Sequence, residues 1–163
     1  MSSAFQLIED TVLGSAAASI TFNTGLTGYT KFRLTAYLIG DATTNKRPWL
    51  RLNGDTGANY ADQALTVGDT IVNSARVTGQ TKMVLGLNEI VTTQALSLIN
   101  INKPLSTTPA RMSSSLAYYP GAILMECVES EWNNTAALIN SISIVASLGN
   151  WAAGTRVVLE GAA

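Results

Sequence analysis

The chain has 163 residues, 47% of them hydrophobic and 13% charged, with a formal net charge of −1 and no histidine. This is material for one domain, 1–163, with its own core; the ten Lys and Arg residues are scattered, so no basic stripe exists to neutralise phosphates, and nucleic acid and anionic membrane are excluded as charge-driven partners. The charged fraction is about half the ordinary value for soluble domains, so much of the surface must be Ser, Thr, Asn, Gly, Ala or apolar, which fits burial in an assembly.

Segment 1–13 reads as an N-terminal arm. Its sequence, "MSSAFQLIEDTVLG" with the next residue, lacks the basic start and long apolar run of a signal peptide, so synthesis in the cytoplasm is expected. No apolar stretch reaches the roughly 18 residues that would span a bilayer. Period-two alternation then begins. In "ASITFN" Ile20 and Phe22 share a face, and in "KFRLTAYL" Phe32, Leu34, Ala36 and Leu38 alternate with Lys31, Arg33, Thr35 and Tyr37. The pattern recurs at Leu50/Leu52, at Met83/Leu85/Leu87, at Leu96/Leu98 with an offset pair Ile99/Ile101, and at Ile142/Ile144 and Val157/Leu159. "TIVNSARV" and "KMVLGL" are expected to pair as a hairpin through "TGQ". Lys103 to Ser115, with two prolines and no period, reads as a long loop, 103–115. "GAILMECVESEW" reads as a central strand that turns acidic as it leaves the core, with the single cysteine, Cys127, as a buried spectator thiol. Gly, Pro, Asn, Ser and Thr punctuate these runs. The expectation is an all-β, antiparallel β-sandwich, jelly-roll-like, of about eight strands and with little helix.

Catalytic chemistry has little to stand on. Without histidine there is no Ser-His-Asp triad, and the commonest ligand for zinc, copper or non-haem iron is missing. The four lysines, Lys31, Lys46, Lys82 and Lys103, have no nucleophile motif beside them. Glu129 and Glu131 share a strand face near Glu126, a pattern that reads as a solvated strand end. "LGNWAAG" lacks the spacing of a phosphate loop. The sequence therefore predicts no enzyme and no cofactor. Between Arg47 and Gln63, "NGDTGANYADQ" has some of the composition of a calcium loop, but counted from Asn53 its fifth, sixth and twelfth positions are Gly57, Ala58 and Ala64, too few oxygen donors for a cage. The turn reading is the simpler one, because Asn-Gly tolerates positive φ. If the loop binds anything, the chemistry suits a glycan: Asn53, Asp55, Asn59 and Tyr60 would bond sugar hydroxyls while Trp151 stacks below.

Three blocks, "LIEDTVLGSAAASITFNTGLTGYTKFRL", "LRLNGDTGANY" and "INSISIVASLGNWAAGTRVVLEG", together resemble a family of tailed-bacteriophage virion proteins, all-β modules met as small free-standing proteins and as parts of tails or fibres. The segment from Val67 to Gly121 carries no part of the resemblance. The resemblance implies a virion location and a structural role, and carries over no catalytic or ligand residue. A short N-terminus without a coiled-coil stalk, and a chain ending at "GAA", favour a capsid decoration or cement protein on the shell over a fibre tip. Its partners would be the major capsid protein, or a tail protein, and itself. A homotrimer is expected, because capsids offer threefold positions and Tyr37, Ile39, Ile99, Ile101 and Val158 read as apolar positions facing outward. The alternative is a tail-borne adhesin module binding host glycans.

Overall fold

In the computed structural model the alternating runs become, among the described residues, twelve strands: β1 Gln6–Val12, β2 Ser19–Phe22, β3 Lys31–Leu38, β4 Pro48–Leu52, β5 Tyr60–Val67, β6 Val72–Gln80, β7 Met83–Val84, β8 Ala95–Asn102, β9 Ala110–Tyr118, β10 Leu124–Trp132, β11 Ile142–Ala146 and β12 Arg156–Ala162. The structure describes residues 4–41, 46–68, 72–86, 94–103, 109–118 and 124–163, and among them there is no helix. Every strand pair is antiparallel, in an eight-stranded sheet ordered β1-β12-β3-β8-β9-β10-β5-β6 and a four-stranded sheet ordered β2-β11-β4-β7.

Alternation places one face of each strand in the core. Phe22, Leu50, Leu52, Ile142 and Ile144 of the smaller sheet pack with Phe32, Leu34, Ala36, Ile99, Val157 and Leu159 of the larger one in a single cluster. Past β9, buried inner-face positions of the larger sheet become partly polar and are satisfied locally. Asp62 on β5 accepts a bond from Ser130 Oγ on β10 at 2.6 Å and from the Val84 amide on β7 at 3.3 Å, tying the two sheets together. Burial pushes the Asp62 pKa up against the bonds from Ser130 and Val84. The outermost strand, β6, is exposed on both faces along most of its length.

Several expectations are corrected. The N-terminal arm is β1 over Gln6–Val12, paired with β12 at the edge of the larger sheet. In the expected loop 103–115, residues 104–108 lie outside the described set, but Ala110 to Ser115 belong to β9 and Lys103 is buried. The proline-flanked stretch still pairs because "ARMSSSLAY" can ladder with strands on both sides. β6 and β7 do not form a hairpin: β6 pairs with β5, and β7 crosses to β4. Leu87, part of the alternation read there, lies outside the described residues. Ile99 and Ile101 face the core, and it is Leu96 and Leu98 that point out. Tyr37, Ile39 and Val158 are half-buried. Cys127 is exposed, because its side chain falls on the outer face while Val128 takes the inner one.

The edge where β1, β12 and the Tyr29 loop meet is packed without slack. A Cβ added at Gly161 would lie 2.7 Å from Ile8 Cδ1 and 2.7 Å from Tyr29 Cγ, and the ring cannot move aside as a flexible chain would. Gly161→Ala should therefore lower stability by about 2 kcal/mol, read as a fall in the denaturant midpoint at unchanged slope. A neutral substitution would mean that β1 is not packed there.

Candidate functional site

The loop between β4 and β5 holds three of the five sequence candidates, Asn53, Asp55 and Asn59, and a fourth, Tyr60, opens β5. Asn53 has φ 55° and Gly54 φ 62°, and the Asp55 amide bonds the Leu52 carbonyl at 3.0 Å. That is a two-residue turn with both central residues left-handed, the conformation Asn-Gly adopts most readily. Asn53 then spends its side chain inside the fold: Nδ2 donates to the Leu138 carbonyl at 2.7 Å, and Oδ1 accepts from the Asn140 and Ser141 amides at 2.8 and 3.2 Å.

Asp55 is the centre of this end of the molecule. Its Oδ1 accepts the Gly57 amide at 2.7 Å, and its Oδ2 accepts Asn59 Nδ2 at 2.9 Å and Trp132 Nε1 at 2.8 Å. Burial raises its pKa, but the bonds from Trp132, Asn59 and Gly57 together outweigh that and hold the carboxyl below the usual aspartate value. Tyr60 is fully buried and stacks on Trp132, with centroids 6.4 Å apart and planes at 22°. Its hydroxyl accepts from the Leu52 amide at 3.3 Å and lies within 3.3 Å of the Leu52 carbonyl and 3.2 Å of the Asp55 carbonyl. Burial pushes the phenol up to about 12. Lys103 sits over the other end of this group, its Nζ 5.6 Å from the Trp132 ring centroid and donating to the Asn134 carbonyl at 3.1 Å.

Trp151 lies apart from the other four. Ser141 bonds the Asn53 end of β4 and Ser147 the Arg47 end, so β11 separates the loop from the Ser147 to Trp151 connection. Trp151 is fully buried there, bridged to Ala17 and Gly40, and cannot stack beneath a sugar held at Asn53. Its Nε1 has no hydrogen-bond partner among the described residues. The structure thus unites Asn53, Asp55, Asn59 and Tyr60 as a closing knot for the β4–β5 turn and the end of β10, with their polar atoms directed at protein partners.

The other groups with chemical potential are also committed. Lys46 is buried and bonds Asp41 at 2.7 Å, Lys82 lies 4.8 Å above the Trp49 ring, and Glu131 pairs with Arg111 at 2.8 Å. Glu126 is not a solvated strand end: it is fully buried, accepting from Thr66 Oγ1 at 3.0 Å, whereas Glu129 stays exposed. Among the described residues no group of three His, Cys, Asp or Glu is placed to hold a metal ion. One hollow of about 160 Å³ adjoins the knot at the β4–β5 turn, lined by Tyr29, Lys103, Leu138 and Asn140 among others; two more open ones lie on the outer face of the larger sheet. One of about 320 Å³ is lined by Phe5, Asn100, Asn102, Arg111 and Glu129 among others, and a neighbour of about 270 Å³ shares Arg111 and Glu129 with it. Sequence reasoning passed over them, although polar residues two apart at Asn100/Asn102, Arg111/Ser113 and Glu129/Glu131 signal a polar sheet face.

No family model, no curated protein and no solved structure matches the chain.

Removing the Asp55 carboxylate leaves Trp132 Nε1 without its acceptor, so Asp55→Ala should cost about 3 kcal/mol near neutral pH. Because the folded pKa lies below the ordinary aspartate value of 3.8, that stabilisation is present in full above this value and is lost as pH falls through the folded pKa. The gap between wild type and variant should shrink correspondingly in acid, measured by urea unfolding at each pH. A chelator should leave the melting temperature of the wild type unchanged, and a drop of several degrees would make this loop a metal site.

Proposed function

We propose that this chain is a structural protein of a tailed-phage virion, a decoration or cement protein that ties neighbouring shell subunits together by non-covalent contact, acts as a homotrimer, and has the major capsid protein as its partner. Its fold, on this reading, is a jelly roll with two inserted hairpins. Setting aside β5, β6, β9 and β10 and renumbering the remaining eight strands in chain order, their arrangement is 1-8-3-6 in one sheet and 2-7-4-5 in the other, the order of a jelly roll. The inserted hairpins, β5–β6 and β9–β10, join each other and extend the first sheet beyond the sandwich. The three blocks that carry the family resemblance supply nearly all of β1, β2, the first half of β3, most of β4 and the turn after it, β11 and nearly all of β12, whereas the unmatched segment from Val67 to Gly121 supplies β6 to β9.

One contrast carries the functional reading. The polar candidates are used up in internal hydrogen bonds, while one face of the larger sheet exposes Leu65, Leu96, Leu98 and Met125. A surface of that kind supports contact and not reaction. Binding at many symmetry-related positions then stabilises a shell by mass action with no chemistry. The alternative, an adhesin module binding glycans, finds its support in the hollow beside Phe5, Asn100 and Glu129, and not at Asn53 or Trp151.

Quantitative mass spectrometry of purified virions tests the assignment. Copy numbers in the hundreds, scaling with the major capsid protein, are expected. A handful of copies per particle would move the protein to the tail, and its absence from the particle would defeat the proposal.

A further inference from the structure

The registers across the larger sheet place its outward side chains in rows. Leu98 on β8 is followed by Ser115 on β9, Cys127 on β10, Leu65 on β5 and Ser74 on β6. The next row begins at Leu96 and runs to Met125, Val67 and Val72. Leu65, Leu96, Leu98, Met125 and Val72 are between 37% and 70% exposed. Further along the same face the rows become polar, from Asn100, Ser113, Glu129, Gln63 and Arg76 to Asn102, Arg111 and Glu131. The outer face is therefore divided into an apolar band crossing β8 to β6 and a polar half.

We propose that this band is the surface through which copies of the chain associate, three around one axis; the inference rests on the oligomeric reading above and names its interface. Three observations favour a second copy as the occupant. First, the polar half carries both signs side by side, with Arg33–Glu160 and Arg111–Glu131 paired at 2.7 and 2.8 Å, so it can meet its own copy without accumulating like charge. A strongly basic or acidic partner has no complementary field to follow. Second, eight strands of about eight residues make a face of roughly 34 by 24 Å, or about 800 Å², one partner's share of a standard interface. The band supplies the apolar part of such a patch and the rows beside it the polar part. Third, the band is long across the strands, about 19 Å from β8 to β6, but only two rows deep along them. Narrow bands from three copies can meet along an axis that crosses the strands, each covering the other two.

Cys127 lies in the middle of the band and reports on it directly. In the isolated chain its thiol is exposed; in the assembly it is covered. The experiment combines sedimentation with thiol labelling of the full chain. The wild type should sediment at three times the 17.2 kDa monomer mass, and Cys127 should react with a thiol reagent at least about tenfold more slowly than in the monomer, since covered thiols are inert. Leu98→Asp places an unpaired charge in the band and should weaken association by about a hundredfold or more, freeing the thiol. Leu148→Asp, at a leucine that is also exposed but lies outside the sheets, should change neither reading. A wild type that sediments as a monomer defeats the oligomeric reading itself. An oligomer in which Cys127 reacts at the free rate, or which survives Leu98→Asp intact, leaves that reading standing and overturns this surface. The labelling of the wild type decides the matter even if Leu98→Asp fails to fold.

Discussion

A four-stranded sheet about 14 Å wide packs on an eight-stranded sheet about 34 Å wide, and most of the molecule's character follows from that mismatch. Where the two overlap, both inner faces are apolar and Phe22, Leu50, Ile142, Leu34 and Leu159 fill the space between them. Where the smaller sheet ends, the larger one still buries Ala64, Glu126 and Val128 on its inner face. That face turns partly polar, so that Ser114 donates to the Leu85 carbonyl, Ser130 to Asp62, and Thr66 to Glu126. A buried polar group left unbonded is costly, and here the partners come from neighbouring strands, from the short strand β7 or from Leu85 just after it. Beyond them β6 is left in solvent on both faces. Among the described residues the outer face meets no second layer, and Leu65, Leu96, Leu98 and Met125 stay exposed on its apolar half.

The same logic explains why the most eye-catching stretch of sequence is not a ligand site. Asn53 and Gly54 turn the chain between sheets, since β4 belongs to the smaller sheet and β5 to the larger. A crossing of that kind brings the end of β10 over the loop, and Trp132 needs an acceptor for its indole N–H once it is buried. Asp55 supplies it, Asn59 and Gly57 hold Asp55 in place, and Tyr60 closes the group from below. Residues that look like oxygen ligands along the sequence are consumed by backbone and indole donors within a few ångströms.

Much of the sandwich was legible before the fold was known, because period two is local and strong: the alternation at Ile20/Phe22, through Phe32 to Leu38, and at Ile142/Ile144 marks β2, β3 and β11, and the Asn-Gly turn falls where turn chemistry puts it. What could not be read is non-local. Alternation states that Leu96/Leu98 and Ile99/Ile101 lie on opposite faces of one strand, but not which face is inward, and both sets are apolar. The pairing of β6 with β5 and of β7 with β4 depends on which sheet each strand joins, a choice made by packing and not by the "TGQ" between them. The exposure of Cys127 follows from the register of β10 with β9 and β5 in the same way. The hydrogen bond from Trp132 to Asp55 spans 77 residues and leaves no mark along the sequence.

If the uncovered sheet is what drives assembly, then the orientation of the subunits is fixed by it. A cryo-electron microscopy map of the purified oligomer reads that orientation directly. The eight-stranded sheet of each copy should face the symmetry axis, with Leu96, Leu98 and Met125 in contact between copies and the four-stranded sheet turned to solvent. Subunits that meet through the four-stranded sheet, or through the strand edges alone with the band left open, would contradict it.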